Sequence, residues 1–333
     1  MILEEQVHSR NIVTWAKDKE NVVVLSADLT GSTEITEFQK TYPDRFFNLG
    51  MAEQNLLSWA GGMAREGFVP LLHTFSVFLV RRPYDQLAMS VCYPNLPVIL
   101  VGFLPGIMTP GGVSHQAIED ISLMRGLPNM TVLEVGDATD IEGVLDVAYE
   151  ARGPVYIRML RGSTPRLFSE KIKLNTARTL REGDELTILS SGICTEPAIR
   201  AADILTKYGL SVRHLHVSTL KPFNDPTIDI ALRDTKRLVV TVENHSVIGG
   251  LGAAVSERIG VLGNITQHLR IGVPDSFGFG ASAPYLMHHF GIDTPGILNQ
   301  IGEAIGERIP FTEDQILTAE MPEIVAKDQL EAL

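Results

Sequence analysis

The sequence predicts an α/β protein: two parallel-sheet domains with helices on both faces. Three observations carry that prediction. Short apolar, β-branched runs recur without the alternation of a half-exposed strand, so each reads as a strand buried on both faces. Stretches of helical period separate them, as the crossovers between parallel strands require. The 333 residues are enough for two cores, and the pattern breaks near the middle.

A helix is expected over 3–19, followed by a buried strand at 22–27 that ends in the polar loop Asp28-Leu29-Thr30-Gly31-Ser32. Arg45-Phe46-Phe47 reads as a short strand. In the next helix, 53–66, Leu56, Leu57, Ala60, Met63 and Ala64 recur at helical spacing, and Gly67 is its stop signal. Strands at 69–73, 98–103, 131–135 and 155–159 alternate with helices at 83–93, 117–126 and 138–151, completing a domain over 1–165. Residues 160–182 are richer in Arg, Thr, Ser and Pro and are expected to carry little core, so the linker is set at 166–182. A second domain, 183–310, follows. Its strands are expected at 186–190, 211–216, 237–242 and 268–271, and its helices near 196–208, 225–233, 250–262 and 297–306. The acidic tail, 311–333, is expected as a surface helix or an extended arm.

Composition excludes several classes. A net charge of −12 with no basic stripe argues against nucleic acid. Cys92 and Cys194 cannot form a disulfide framework, which points to a reducing cytoplasm. No basic region followed by an apolar core opens the chain. The apolar stretches 71–80 and 97–108 are shorter than the roughly 20 residues a bilayer span needs. Gly249-Gly250-Leu251-Gly252 lacks full dinucleotide-loop spacing and is better explained by close helix–sheet packing. His288-His289 has no third ligand at metal-site spacing.

The most informative stretch is Asn48-Leu49-Gly50-Met51-Ala52-Glu53-Gln54-Asn55, which puts an acid where a Gly-bearing loop becomes a helix between apolar flanks. A helix N-terminus accepts such an acid for its dipole alone. Thiamine diphosphate chemistry uses one directly: a carboxyl hydrogen-bonded to the aminopyrimidine activates the cofactor.

The ordered landmarks of the chain resemble the transketolase family, specifically its pyrimidine-binding and C-terminal domains. They run Ser26-Ala27-Asp28-Leu29-Thr30, the Glu53 stretch, Phe75-Ser76-Val77-Phe78, Tyr84-Asp85-Gln86, Ser114-His115-Gln116 with Glu119-Asp120, and Arg125-Gly126-Leu127-Pro128-Asn129. Leu220-Lys221-Pro222 and Val242-Glu243-Asn244-His245 continue the match in the second domain. The resemblance implies a thiamine-diphosphate-binding fold and a transketolase C-terminal-like domain. It implies that Glu53 activates the cofactor, that Phe75 and Phe78 receive its pyrimidine ring, and that Asp28 lies near its thiazolium. It further implies that His115 assists proton transfer, while Ser32 and Arg161 contact the substrate phosphate. Arg158 is close enough to Arg161 to confuse the register. A guanidinium suits an anion because it is always charged and binds in a bidentate fashion.

Three departures follow from the same comparison. The family has an Asp four residues before His115 and a His twelve before it, both contacting donor hydroxyls; this chain has Gly111 and Phe103. Losing both polar groups points to a modified or branched ketose. Nothing matches the diphosphate domain's Gly-Asp-Gly motif and Asn, which hold Mg²⁺ and the diphosphate. The resemblance therefore implies the β half of a split transketolase, completed by an N-terminal diphosphate-binding subunit, expected as α₂β₂. Gly61-Gly62 would allow close helix approach there. Alternatives are a 2-oxo acid dehydrogenase β subunit, a 1-deoxyxylulose-phosphate-synthase-like fragment, and a non-catalytic thiamine-fold scaffold.

Overall fold

In the computed structural model, residues 2–263 and 266–321 are described. The expected tail beyond 321 lies outside them. The first part of the chain runs β1 (Ile2–Glu5), α1 (Val7–Trp15), β2 (Val22–Ser26), α2 (Thr36–Thr41), β3 (Phe46–Asn48), α3 (Glu53–Arg65), β4 (Val69–Phe75) and α4 (Ser76–Arg81). A short helix α5 (Tyr84–Gln86) passes into a π-helix, Leu87–Cys92. Then come β5 (Ile99–Phe103), α6 (Asp120–Gly126), β6 (Thr131–Glu134), α7 (Ala138–Glu150), β7 (Val155–Met159) and β8 (Ser163–Arg166). The second part holds β9 (Arg178–Arg181), β10 (Leu186–Ser190), α8 (Thr195–Tyr208), β11 (Val212–His216), β12 (Thr219–Lys221), α9 (Pro226–Asp234) and β13 (Leu238–Ser246). It ends with α10 (Leu251–Leu262), β14 (Gln267–Val273), α11 (Ala283–His289), α12 (Thr294–Ile305) and α13 (Glu313–Leu317).

Two α/β domains result, as the runs of Val, Ile and Leu require. The larger sheet has the order β12-β6-β7-β5-β4-β2-β3, and the smaller β14-β13-β10-β11-β9. Neither is parallel throughout: β12 joins β6, and β9 joins β11, in antiparallel fashion. The edge strand β12 comes from the second part of the chain, so the two domains share a sheet. Successive residues of the inner strands enter opposite cores. Leu71 and Val101 pack beneath α1 and α7, whereas Leu72 and Leu100 pack with Leu56 and Leu57 of α3. That second core continues into Leu189, Leu215 and Val239 of the smaller sheet.

The stretch expected to carry little core contains β8 and β9 and buries Leu167, Phe168 and Ile172. Its apolar residues are too sparse for a periodic signal, yet Asp137 anchors them by accepting hydrogen bonds from the N–H groups of Leu167 and Phe168. Within the tail, α13 is a surface helix with a Thr312–Gln315 capping box. No described helix is long and apolar enough to cross a membrane.

A buried polar cluster joins the domains. Arg158 of β7 is fully buried and donates to both oxygens of Asp120, to Glu134 and to the Asn244 carbonyl. Burial opposes its charge, but the facing carboxylates outweigh that and raise the guanidinium above its ordinary value. The Asn244 side chain donates to the Pro105 carbonyl and accepts from the Ile107 N–H, both at 3.0 Å, pinning the loop after β5 to the second domain.

Candidate active site

The parallel strands of the larger sheet end on one edge, and the loops leaving it hold the expected site residues. Open α/β sheets bind their ligands at this edge. Glu53 opens α3 because Gly50, at φ 71°, turns the chain out of β3. Asn48 closes the turn: its Oδ1 accepts from the N–H groups of Asp28 and Gly50, each at 3.1 Å, and its Nδ2 donates to Asp28 Oδ1 at 3.2 Å. Asp28 is thereby tied to the loop leading into Glu53.

Phe75 ends β4 and Phe78 follows in α4; their ring centroids lie 5.9 Å apart with planes 28° from parallel. His115, on the loop after β5, meets Phe78 at 5.3 Å and Phe75 at 6.4 Å, edge to face. Its Nδ1 lies 2.9 Å from the Ser114 hydroxyl. Arg82 links this aromatic group to the acid. Its Nη1 donates to Glu53 Oε1 at 2.6 Å, and its guanidinium carbon stands 4.1 Å from the Phe78 centroid. Glu53 is only 4 % exposed. The apolar flanks expected around it are interrupted by this ion pair.

Arg81 holds the loop that carries His115. It donates to both oxygens of Glu119 and, at 3.0 Å, to the Gln116 carbonyl. Those hydrogen bonds to Glu119 raise its guanidinium above the ordinary value. Gly111 lies against the histidine itself: a Cβ there would be 2.9 Å from His115 Cγ and 3.1 Å from Nδ1.

Ser32 and Arg161 form a separate group on the same edge. Glu34 Oε1 accepts from the Gly162 N–H at 2.7 Å, fastening the loop after β2 to the loop after β7. Burial raises the Glu34 carboxyl above its ordinary range, against that N–H and the nearby Arg161 charge. Ser32 is half-buried and Arg161 exposed. Among the described residues, no contact links either one to Glu53 or His115.

Residues 5–166 match the family described as transketolase, pyrimidine binding domain, and residues 175–297 the transketolase C-terminal domain. The chain belongs to the transketolase family. It is 42% identical to an uncharacterised transketolase family protein of Sinorhizobium fredii, over 88% of this chain and 86% of that one. It is 38% identical to the 6-deoxy-6-sulfo-D-fructose transketolase subunit of Clostridium sp. strain MSTE9, over 90% and 93%. A 1-deoxy-D-xylulose-5-phosphate synthase of Pelotomaculum thermopropionicum is 33% identical across 91% of this chain, but only 48% of its own length. Among solved structures, a split-gene transketolase described as an inactive β4 tetramer superposes with a TM-score of 0.81 at 36% identity, over 91% and 98%. The chain therefore stands among the thiamine-diphosphate enzymes and pairs the same two domains as a split-gene relative.

Burial separates the two arginines and corrects the expected place of Phe103. Arg158 is spent on the interdomain cluster, so of the two arginines only Arg161 is open to an anion. Phe103 does not stand in the opening; it is fully buried, with its ring 5.5 Å from His8 and 6.3 Å from His73. The side-chain alternation of β5 turns it into the core with Val101. Those two histidines are 3.1 Å apart, Nε2 to Nε2, and burial pushes His8 down to about 3 and His73 well below its ordinary value. Gly61 packs within this chain, where a Cβ would be 2.5 Å from the Ser90 carbonyl oxygen, while Gly62 has open space.

The glycines near 250 serve packing. Both oxygens of Glu243 accept from the first N–H groups of α10, those of Leu251 and Gly252, at 2.6 and 2.9 Å. Among the described residues no group of three or more His, Cys, Asp or Glu side chains could hold a metal ion. Sequence reasoning missed Arg81 and Arg82. Their signal was an arginine pair three and four residues after Phe78, positions that share one helical face with it.

Proposed function

We propose that this chain is the β subunit of a transketolase-type enzyme that moves a two-carbon ketol unit from an anionic, modified ketose to an aldehyde acceptor. One observation carries the reading: Glu53, a nearly buried carboxylate at the ligand-binding edge, is joined through Arg82 to the Phe75–Phe78 pair and His115. This set fits the pyrimidine half of thiamine diphosphate, with an acid for the ring nitrogen and aromatic area to cover it. When bound, the cofactor supplies the nucleophilic carbon and electron sink needed to cleave a bond beside a ketone.

This chain's residues do the rest. Glu53 holds the proton at the aminopyrimidine. Phe75 and Phe78 exclude water and so strengthen that hydrogen bond. Asp28, fixed by Asn48, would supply a negative charge toward the cofactor's thiazolium. His115 takes up or returns the proton of a donor hydroxyl. Ser32 and Arg161 orient the anionic terminus. Mg²⁺ and the diphosphate belong to a diphosphate-binding partner, in an α₂β₂ assembly in the cytoplasm.

The substrate class rests on Gly111, which lacks the hydroxyl-binding acid that the family resemblance puts at that position, and on the sulfofructose named for the Clostridium relative. The test is ketol transfer by the reconstituted enzyme, with 6-deoxy-6-sulfofructose and ordinary ketose phosphates as donors. Glu53→Gln should abolish transfer. Full activity in that variant would reduce the chain to a scaffold, and decarboxylation of a 2-oxo acid in place of ketol transfer would move it to the dehydrogenase or synthase class.

A further inference from the structure

Arg81 and Arg82 leave the end of α4 for different targets. Arg81 holds the His115 loop, whereas Arg82 reaches back over α3 to Glu53. The Arg82 side chain is 47 % exposed and the carboxylate beneath it 4 %. Arg82 is thus the cover and Glu53 what it covers. Its guanidinium takes a carboxylate oxygen at 2.6 Å and lies 4.1 Å from the Phe78 centroid. These are the two features that the proposed function gives to the aminopyrimidine.

We propose that Arg82 is a latch on the cofactor site: its side chain occupies the place of the pyrimidine and must swing into solvent before the cofactor can bind. The inference rests on the assignment of Glu53 and Phe78 to that ring. Its physical logic is the cost of a lone buried charge. A nearly buried carboxylate without a partner is strongly unfavourable, so a subunit lacking cofactor needs a substitute cation. Arginine is suited to this because its flat guanidinium pairs with a carboxylate and lies on an aromatic ring together. The motion is confined to the side chain, because the Gln54 side chain holds the Arg82 carbonyl at 3.3 Å. Cofactor entry then exchanges one charge-assisted contact at Glu53 for another, and the released arginine, already half in water, regains its hydration.

The full chain can be titrated with thiamine, and separately with thiamine diphosphate plus Mg²⁺, by saturation-transfer NMR read at the pyrimidine methyl protons. Arg82→Ala should bind both at least about tenfold more tightly than the wild type, the equivalent of one charged contact no longer displaced. Equal or weaker binding, including no signal from either chain, overturns the latch and makes Arg82 a support for the ligand or a bystander. The double variant Glu53→Ala/Arg82→Ala separates two kinds of failure. Loss of the gained affinity confirms that the latch guards Glu53. A gain that survives without Glu53 overturns the site assignment, and the latch with it.

Discussion

Replacing Arg81 by Met keeps the aliphatic stem and removes the guanidinium donors that hold the His115 loop. The wild-type guanidinium makes a bidentate pair with Glu119, one arm at 2.8 Å, and donates to the Gln116 carbonyl at 3.0 Å. Charged hydrogen bonds of this kind are each worth about 1.5–3 kcal/mol. The two side chains are 31 % and 33 % exposed, so solvent screening removes part of that value. A loss of about 2 kcal/mol follows, localised to 113–119 because Gly106 and Ala117 still pair their backbones, and Gln116 still donates to the Phe279 carbonyl. Local opening should become about 30-fold more frequent. Hydrogen exchange by mass spectrometry reads this directly: amides of 113–119 should exchange about 30-fold faster, while those of β2, β4 and β10 keep wild-type rates. Glu119→Gln should show most of the same effect. Unchanged exchange at 113–119 would refute the role given to Arg81.

Other expectations concern stability, the histidine and the anion. Arg158→Met strands Asp120 and Glu134 without their cation and should cost about 3–5 kcal/mol in urea denaturation. His8 and His214 are held neutral, each at about 3 against an ordinary 6.5, chiefly by burial. The unfolded chain takes up protons first, so stability is intact above pH 6.5 and falls as pH drops through that value. Two such rings imply a loss of about 3 kcal/mol by about pH 5.5, measurable as a lower urea midpoint. Gly111→Ala should displace the His115 ring and slow transfer at least about tenfold. Arg161→Ala should raise KM for an anionic donor about tenfold and leave kcat nearly unchanged.

Much of this was legible in the sequence where one physical rule dominates. The buried strands declared themselves by apolar runs, and Glu53 by its place between a glycine turn and a helical repeat. Long-range placement was not legible. Nothing local tells that Thr219–Lys221 crosses to the other sheet, or that Arg158 points into the domain interface while Arg161, three residues on, faces solvent. Phe103 illustrates the same limit. The family resemblance put it at the opening, but the alternation of β5 turned the ring toward His8 and His73. The Arg82–Glu53 pair spans 29 residues and depends on how α4 lies across α3. No short-range pattern encodes such a crossing.

The central claim is a cofactor site shared between this chain and a diphosphate-binding subunit. It is tested most directly by calorimetric titration of thiamine diphosphate with Mg²⁺, first into this chain alone and then into the complex co-purified with that subunit. Tight, saturable binding in the complex, and far weaker binding to the single chain, is the predicted result. Equal affinity in both samples, or no binding by an established complex, would contradict it.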